Sequence, residues 1–303
     1  MKTHPIKNYR NTLKGRVRES KPVFILLTIL RILTVVAMVR SIIIGNYGNA
    51  FTAFLVLLLF LVPSFLEGAL RLRIPPLFEA IIYCFIFAAN ILGEIYHFYA
   101  HIPIWDTALH TLNGFLFAAV GFSTVELLNR NSKRFNLSPL YLTLVAFCVS
   151  MTVGVLWEFF ECGMDLFFNM DMQKDFIVDK INSTQLDPAH DQTVIHVNDI
   201  ISTQIFTASG EVYSVENGYI DIGILDTMKD LLVNLIGAVV FCIFGFIYTK
   251  FGKKTKTAAK IVVGLKIQPA AGTTAEAEVA EEAEETEDKE KTEEKEETKE
   301  NKE

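Results

Sequence analysis

Residues 139–162 read PLYLTLVAFCVSMTVGVLWEFFEC. From Pro139 to Trp157 the run contains no Asp, Glu, Lys or Arg. Wound as a helix at about 1.5 Å per residue, a run of this length crosses most of a hydrocarbon layer roughly 30 Å thick. Helix is the element that satisfies its own backbone hydrogen bonds in lipid. The run closes on two acids, Glu158 and Glu161, which the i,i+3 spacing puts on one helix face.

Five further apolar blocks of similar length flank this one, at about 22–44, 50–70, 76–98, 107–128 and 226–249. Hydrophobic residues make up 51% of the 303, and the mean hydropathy is +0.33 although the last thirty-odd residues are almost all polar. This excludes an ordinary soluble enzyme, a nucleic-acid binder and a disulfide scaffold. The four cysteines (Cys84, Cys148, Cys162, Cys242) lie in or at the ends of apolar blocks, with no CxxC signature, and read as small hydrophobes. The basic run before residue 22 resembles a secretion signal, but the block after it is too long for a signal core and lacks a small-residue cleavage site. It reads as a retained first span.

Lys and Arg in the connections give the orientation. The N-terminus, the second connection (Arg71, Arg73), the fourth (Arg130, Lys133, Arg134) and the C-terminal flank (Lys250, Lys253, Lys254, Lys256, Lys260) are basic. The first and third connections carry no Lys or Arg, and the long fifth, 167–225, holds two lysines against seven Asp and two Glu. The alternation puts both termini in the cytoplasm and the fifth connection outside.

The expected fold is therefore an all-α polytopic membrane protein. A six-transmembrane-helix bundle carries a small extracytoplasmic β-rich insert and a disordered acidic C-terminal tail. Its parts are a basic cytoplasmic N-terminus (1–21), spans one to five (22–166), the insert (167–225), the sixth span (226–249) and a basic flank with the tail (250–303). Residues 276–303 carry a net charge of −10 and the rest of the chain +3, so the tail alone makes the chain acidic. Its Glu/Lys/Thr/Ala composition cannot bury enough apolar surface to fold. In the insert, Val212–Val215 and Tyr219–Ile222 flank Asn217-Gly218, a hairpin signal. Asp187, His190, Asp191 and His196 in the insert have the side chains to bind a metal but read first as a solvated loop.

Ionisable residues inside spans are costly and ask for partners. Helical phase groups them into four stripes: Asn90, Glu94, His97 and His101; Asp106, His110 and Asn113; Glu158, Glu161 and Asp165; Asp226, Asp230 and Asn234. Gly114, Ala118 and Gly121 beside the second stripe are small enough for close helix approach. Asn90, Asn113, Glu158 and Asn234 lie at one depth, roughly 10–12 Å from the outer helix ends at 1.5 Å per residue. So many carboxylates cannot all stay ionised and unpaired in low dielectric. Arg40 is the leading counter-cation, with Lys229 near the top of the sixth span. The shortfall of fixed cations points to a bound divalent metal. Asp106, His110, Glu158, Glu161, Asp226 and Asp230 would be its ligands, and Glu94, His97, Asn113, Asp165 and Asn234 the groups behind them. A protonatable carboxylate–histidine relay and a purely structural hydrogen-bonded network remain open beside it. Trp105, Tyr96 and Tyr99 sit where an interface belt would. The chain has no phosphate-cradling Gly loop, no HExxH and no GxSxG.

Gly93-Glu94-Ile95-Tyr96, Trp105-Asp106-Thr107-Ala108-Leu109-His110, Trp157-Glu158-Phe159-Phe160-Glu161 with Asp165, residues 169–174, and the run from Leu225-Asp226 through Asp230 and Asn234 to Gly237-Ala238 resemble the YjdF-type family of multi-pass bacterial membrane proteins. More distantly the pattern is similar to VanZ-like membrane proteins. The likeness covers about 76–246 and implies a bacterial cytoplasmic membrane location, without a reaction. Where the family pattern links residues 173–174 directly to 225–226, this chain carries some 50 residues.

Three functions fit. The first is a membrane-embedded, metal-dependent enzyme acting on a lipid or lipid-linked substrate, with Glu158 and Glu161 as catalytic groups. The second is a proton- or cation-coupled transporter or exporter. The third is a non-catalytic scaffold whose insert or acidic tail docks a protein partner. Membrane lipids are the expected surroundings in all three, with no nucleic acid.

Overall fold

The computed structural model describes residues 21–70, 72–130, 137–251 and 255–269. The acidic tail, the N-terminal basic run and Arg71, Lys133, Arg134, Lys253 and Lys254 lie outside the described residues. Among the described residues six helices are long and apolar enough to cross a membrane: Lys21–Ile43, Tyr47–Ala69, Pro76–Ile95, Trp105–Asn129, Pro139–Phe168 and Ile224–Phe251. In element terms they are α1 (Lys21–Ile43), α2 and α3 (Tyr47–Leu59, Val62–Leu70), α4 (Pro76–Phe87) with a π-helical continuation (Ala88–Ile95), α6 (Trp105–Arg130), α7 (Pro139–Phe168) and α8 (Ile224–Phe251). A short α5 (Phe98–His101) precedes α6. The second span breaks between α2 and α3 because Pro63, with no N–H to donate, belongs in the first turn of a new helix. Large apolar side chains stand uncovered along the spans, among them Ile29 and Val36 on α1, Phe51 on α2, Phe159 and Phe160 on α7 and Leu232 and Ile236 on α8. Such surface is unfavourable in water and at home among lipid tails.

The chain divides into two compact units. The first holds the chain up to Trp105, Ala119–Val145 and the chain from Ile243 on; the second holds Asp106–Ala118 and Ala146–Cys242.

In the first unit a core of Leu27, Leu30, Ala37, Ala53, Val56, Phe60, Tyr83, Ile91 and Ile95 joins α1, α2, α4 and the π segment. Tyr83 meets Phe60 edge-on at 5.9 Å and donates to Glu79 Oε1 at 2.7 Å. The stripe expected on the third span, Asn90, Glu94, His97 and His101, is broken here. Tyr96 N donates to Ile91 O at 3.0 Å, an i→i+5 bond that widens the turn. His97 then takes a left-handed backbone (φ 59°), and His101 lies on the separate α5 with its Nδ1 2.7 Å from His97 O. A phase of 100° per residue therefore does not carry from Asn90 to His101. Gly93 is where the wide turn needs a missing side chain: a Cβ there would stand 2.3 Å from the Tyr99 ring.

The flank beyond the sixth span is folded rather than a bare basic run. Helix α9 (Lys256–Leu265) buries Ala258, Val262 and Leu265. The chain after it forms β8 (Gln268–Pro269) against β1 (Leu72–Arg73), with Leu72 opposite Pro269. Ile267 N donates to Ser123 Oγ at 3.1 Å, and the buried Lys266 ammonium pairs with Glu126.

In the second unit α6 and α8 approach at backbone distance. A Cβ on Gly114 would lie 2.0 Å from Asn234 O, and one on Gly237 1.9 Å from Thr111 O. Asn113 Nδ2 donates to Asn234 Oδ1 across the same seam at 3.1 Å, and Ser150 of α7 donates to Gly114 O at 2.7 Å.

The insert is built of antiparallel two-stranded ladders: β2 (Ile177–Val178) with β7 (Tyr219–Ile220), β3 (Ile181–Ser183) with β4 (Ile195–Val197), and β5 (Ser202–Phe206) with β6 (Val212–Glu216). The hairpin expected around Asn217-Gly218 is not the one that forms. Val212–Glu216 pairs back onto Ser202–Phe206 through the turn closed by Thr207 N to Glu211 O, 3.0 Å, with Gly210 at φ 88°. Asn217 does adopt positive φ, but Gly218 sits at φ 153°, outside the primed turn that would fold the two flanks together. Asn217 N instead bonds Ile201 O at 2.9 Å, and the strand that follows goes to Ile177 and Val178.

Candidate metal centre

Three helices of the second unit bring their acids to one imidazole. His110 stands on the second turn of α6. Its Nε2 lies 3.4 Å from Asp106 Oδ1, one turn earlier on the same helix, and 3.7 Å from Asp230 Oδ2 of α8. Its Nδ1 lies 3.7 Å from Glu158 Oε1 of α7. Two groups satisfy the spacing of metal ligands, with one donor atom per residue within 4.8 Å: Asp106, His110 and Asp230, and His110, Glu158 and Glu161. His110 belongs to both, with Asp106 and Asp230 at its Nε2 and Glu158 at its Nδ1. Oxygen and imidazole donors of this kind suit Zn²⁺, Mn²⁺ or Fe²⁺.

The centre is dry. Glu158 is 4% exposed and Asp230 1%. Among the described residues neither oxygen of Glu158 nor Oδ1 of Asp230 has a hydrogen-bond partner. A buried carboxylate without one is unfavourable by several kcal/mol unless it holds a proton or a cation. Glu161 is better supplied: Trp157 Nε1, one turn earlier, donates to its Oε1 at 2.8 Å.

The cation inside the centre is Lys229. Its Nζ lies 3.0 Å from Asp226 Oδ1, 3.2 Å from Asp106 Oδ2 and 3.6 Å from Asp230 Oδ1, with the Phe176 ring 5.8 Å away. Arg40, the leading counter-cation of the sequence reading, lies over the Tyr96 ring at 5.8 Å, within the first unit. Arg40 entered through its depth in the first span. Lys229 had the sharper signal, an i,i+3 neighbour of Asp226 on the sixth helix itself.

Two acids of the stripes hold backbone. Asp165 takes Met172 N on Oδ1 at 2.6 Å and Gln173 N on Oδ2 at 2.9 Å. Asp226 gives one oxygen to Lys229 and takes Lys174 N on the other at 2.9 Å. Gln173 also donates to Thr227 Oγ1. Residues 169–174 are thereby strapped to the ends of α7 and α8 beside the centre. The expected ligand Asp226 is in neither ligand group among the described residues. Asn113 and Asn234 form the seam described above, where Asn234 Nδ2 also reaches Met151 Sδ at 3.6 Å. Glu94 and His97 belong to the first unit and to neither group.

The insert's acids serve its own backbone. Asp187 accepts from the amides of Ala189, Asp191 and Thr193. Asp221 accepts from Phe176 at 2.7 Å, Leu225 at 2.9 Å and Gly223 at 3.2 Å. Burial works against the Asp221 carboxylate, but these three donors outweigh it and hold the group below its ordinary value.

Sequence reasoning ranked Lys229 behind Arg40 as the counter-cation, although Lys229 stands between three aspartates, and it gave Trp157 no role beside Glu161. Trp157 was legible as an i−4 neighbour of Glu161.

Neither the curated proteins nor the solved structures offer a match to this chain. The family described as "Predicted membrane protein (DUF2238)" matches residues 25–193, more than half of the chain and the part that contains Asp106, His110, Glu158 and Glu161. The chain thus belongs to the DUF2238 family of predicted membrane proteins.

Proposed function

We propose that this protein is a membrane-embedded, divalent-metal-dependent enzyme whose substrate is a lipid or a lipid-linked molecule. One observation carries the reading: an imidazole with a carboxylate within 3.7 Å on each ring edge, beside a buried Glu158 whose oxygens have no hydrogen-bond partner within 3.5 Å among the described residues, the Thr227 hydroxyl being its polar neighbour. The ligands are drawn from Asp106, His110, Asp230, Glu158 and Glu161. When bound there, a divalent ion would supply Lewis-acid chemistry, and a carboxylate of the set would act as the proton acceptor. The apolar flank of α7 around Phe159 and Phe160 is open to lipid, a direction from which an acyl chain can enter. In this reading the protein lies in the bacterial cytoplasmic membrane with both termini inside and the insert outside, as the basic connections direct. We also read the chain as akin to YjdF-type and, more distantly, VanZ-like membrane proteins.

The test is metal analysis of the full-length protein purified in detergent, together with its thermal unfolding. About one tightly held divalent ion per chain is expected. Stripping it with a chelator lowers stability by about 2.7 kcal/mol relative to protein at a hundredfold excess of metal over Kd. In Glu158→Gln the ion and this increment both vanish. A wild-type protein that holds no divalent metal and unfolds identically with and without added Zn²⁺ or Mn²⁺ refutes the proposal.

A further inference from the structure

The centre has two candidate positions for a cation, one on each edge of His110, and they are unequal. Toward Nε2, Asp106 and Asp230 each give one oxygen to the ring edge, and their other oxygens lie 3.2 and 3.6 Å from the Lys229 ammonium. Asp226 completes the cradle around that ammonium at 3.0 Å. This side already holds a positive charge and would repel a second one. Toward Nδ1 stands Glu158 at 3.7 Å, grouped with Glu161, and among the described residues Lys229 makes no ion pair within 4.0 Å with either, acting on Glu158 only from a distance. There both oxygens of Glu158, 4% exposed, have no hydrogen-bond partner among the described residues.

Resting on the metal reading above, we infer that the chain is built for a single metal ion on the Glu158–Glu161 edge of His110, and that the Lys229 ammonium replaces a second ion on the Asp106–Asp230 edge. His110 connects the two halves. With the Asp106 and Asp230 carboxylates 3.4 and 3.7 Å from Nε2, the ring proton belongs on Nε2 in this arrangement, which leaves the Nδ1 lone pair toward Glu158, 3.7 Å away. That is the carboxylate–histidine–metal arrangement by which acids behind a ligand orient it and raise its basicity. Asp106 and Asp230 thus act through the ring, as positioning residues, while Glu158, Glu161 and His110 Nδ1 touch the ion. Trp157, bonded to the remaining face of the set through Glu161, holds the second glutamate in place.

The experiment counts metal. Full-length wild type, Lys229→Met, Lys229→Arg, Glu161→Gln and Asp106→Asn are purified in detergent, equilibrated with Mn²⁺ alone and assayed for bound metal and affinity. Variants are compared only where they elute as the wild type does. Wild type and Lys229→Arg bind one equivalent. Lys229→Met, with its aspartates released, binds two. Glu161→Gln loses the tight site, and Asp106→Asn keeps one equivalent at an affinity weakened by about 10- to 100-fold. One equivalent in Lys229→Met overturns the role given to the ammonium. Loss of the metal in Asp106→Asn with retention in Glu161→Gln overturns the side assignment. Either result leaves the protein a metal protein, whereas no bound metal in wild type removes both readings together. If Lys229→Met does not fold, the wild-type titration decides: a single-site isotherm supports the inference and a two-site isotherm refutes it.

Discussion

Replacing Gly237 by Ala probes the seam on which the centre is built. The added methyl would stand 1.9 Å from Thr111 O and 2.9 Å from Phe115 N. Ordinary contact begins at 3.4 Å, so α8 must retreat from α6 by roughly 1.5 Å. The seam hydrogen bond from Asn113 to Asn234, now 3.1 Å, breaks with such a shift, at about 1 kcal/mol. Forcing a methyl into packed backbone adds about 1–3 kcal/mol. The sum, about 2–4 kcal/mol, corresponds to a Tm lower by about 5–15 °C at roughly 2–4 °C per kcal/mol. Gly163→Ala on α7 is the matched control, because its Cβ meets nothing within 4 Å; helix propensity makes it neutral or stabilising by up to about 1 kcal/mol. Thermal unfolding of the purified protein, followed by loss of the monodisperse elution peak, reads both. Asp230 lies two turns along α8 from Gly237, so under the proposed metal reading the affinity for a divalent ion falls with the same substitution. Equal Tm values for the two variants would refute the backbone-distance seam.

Two further outcomes test other parts of the fold. Asp221, held below its ordinary 3.8, stabilises the insert fully above that value and loses the contribution as the pH falls through its lower folded value. Amide exchange at Phe176, Gly223 and Leu225 should therefore be flat from neutral pH down to about 4 after correction for intrinsic rates, and accelerate below it. Asp221→Asn should raise it at least about tenfold at neutral pH, since hydrogen bonds to a charged acceptor contribute about 1.5–3 kcal/mol. In the first unit, Lys266→Ala strands the half-buried Glu126 carboxylate and should destabilise by up to about 3–5 kcal/mol, whereas Lys266→Met combined with Glu126→Leu should be near neutral or stabilising. Equal losses in the two, measured by thermal unfolding, contradict a paired, desolvated contact.

The six spans were legible because each is a local property: a run of apolar side chains long enough to cross lipid has one backbone solution. Their ends differ from the sequence reading by a few residues, most at α7, which runs to Phe168, and at the third span, which leaves α-helical geometry after Phe87. That π segment was not legible, because the ring of Tyr99 over Gly93 is a contact between turns rather than a pattern along the chain. The hairpin was misplaced for a related reason. Asn217-Gly218 does carry a positive-φ turn residue, but the partner of Val212–Glu216 was decided by competition with Ser202–Phe206, which gives a five-pair ladder.

For the centre, phase and depth along three helices were enough to nominate Asp106, His110, Glu158, Glu161 and Asp230, because a helix fixes which face and which level a side chain occupies. They were not enough to say which atoms meet. Sequence periodicity has no information on helix rotation about its neighbour, on the stretch at 169–174 that claims Asp165 and Asp226, or on Lys229 folding back between three aspartates. The sequence by itself determined a six-span membrane chain with acids and an imidazole at one level of three helices. The tertiary structure decided which carboxylate is satisfied by backbone, which by an ammonium and which by nothing, since those depend on distances between helices that no local pattern encodes.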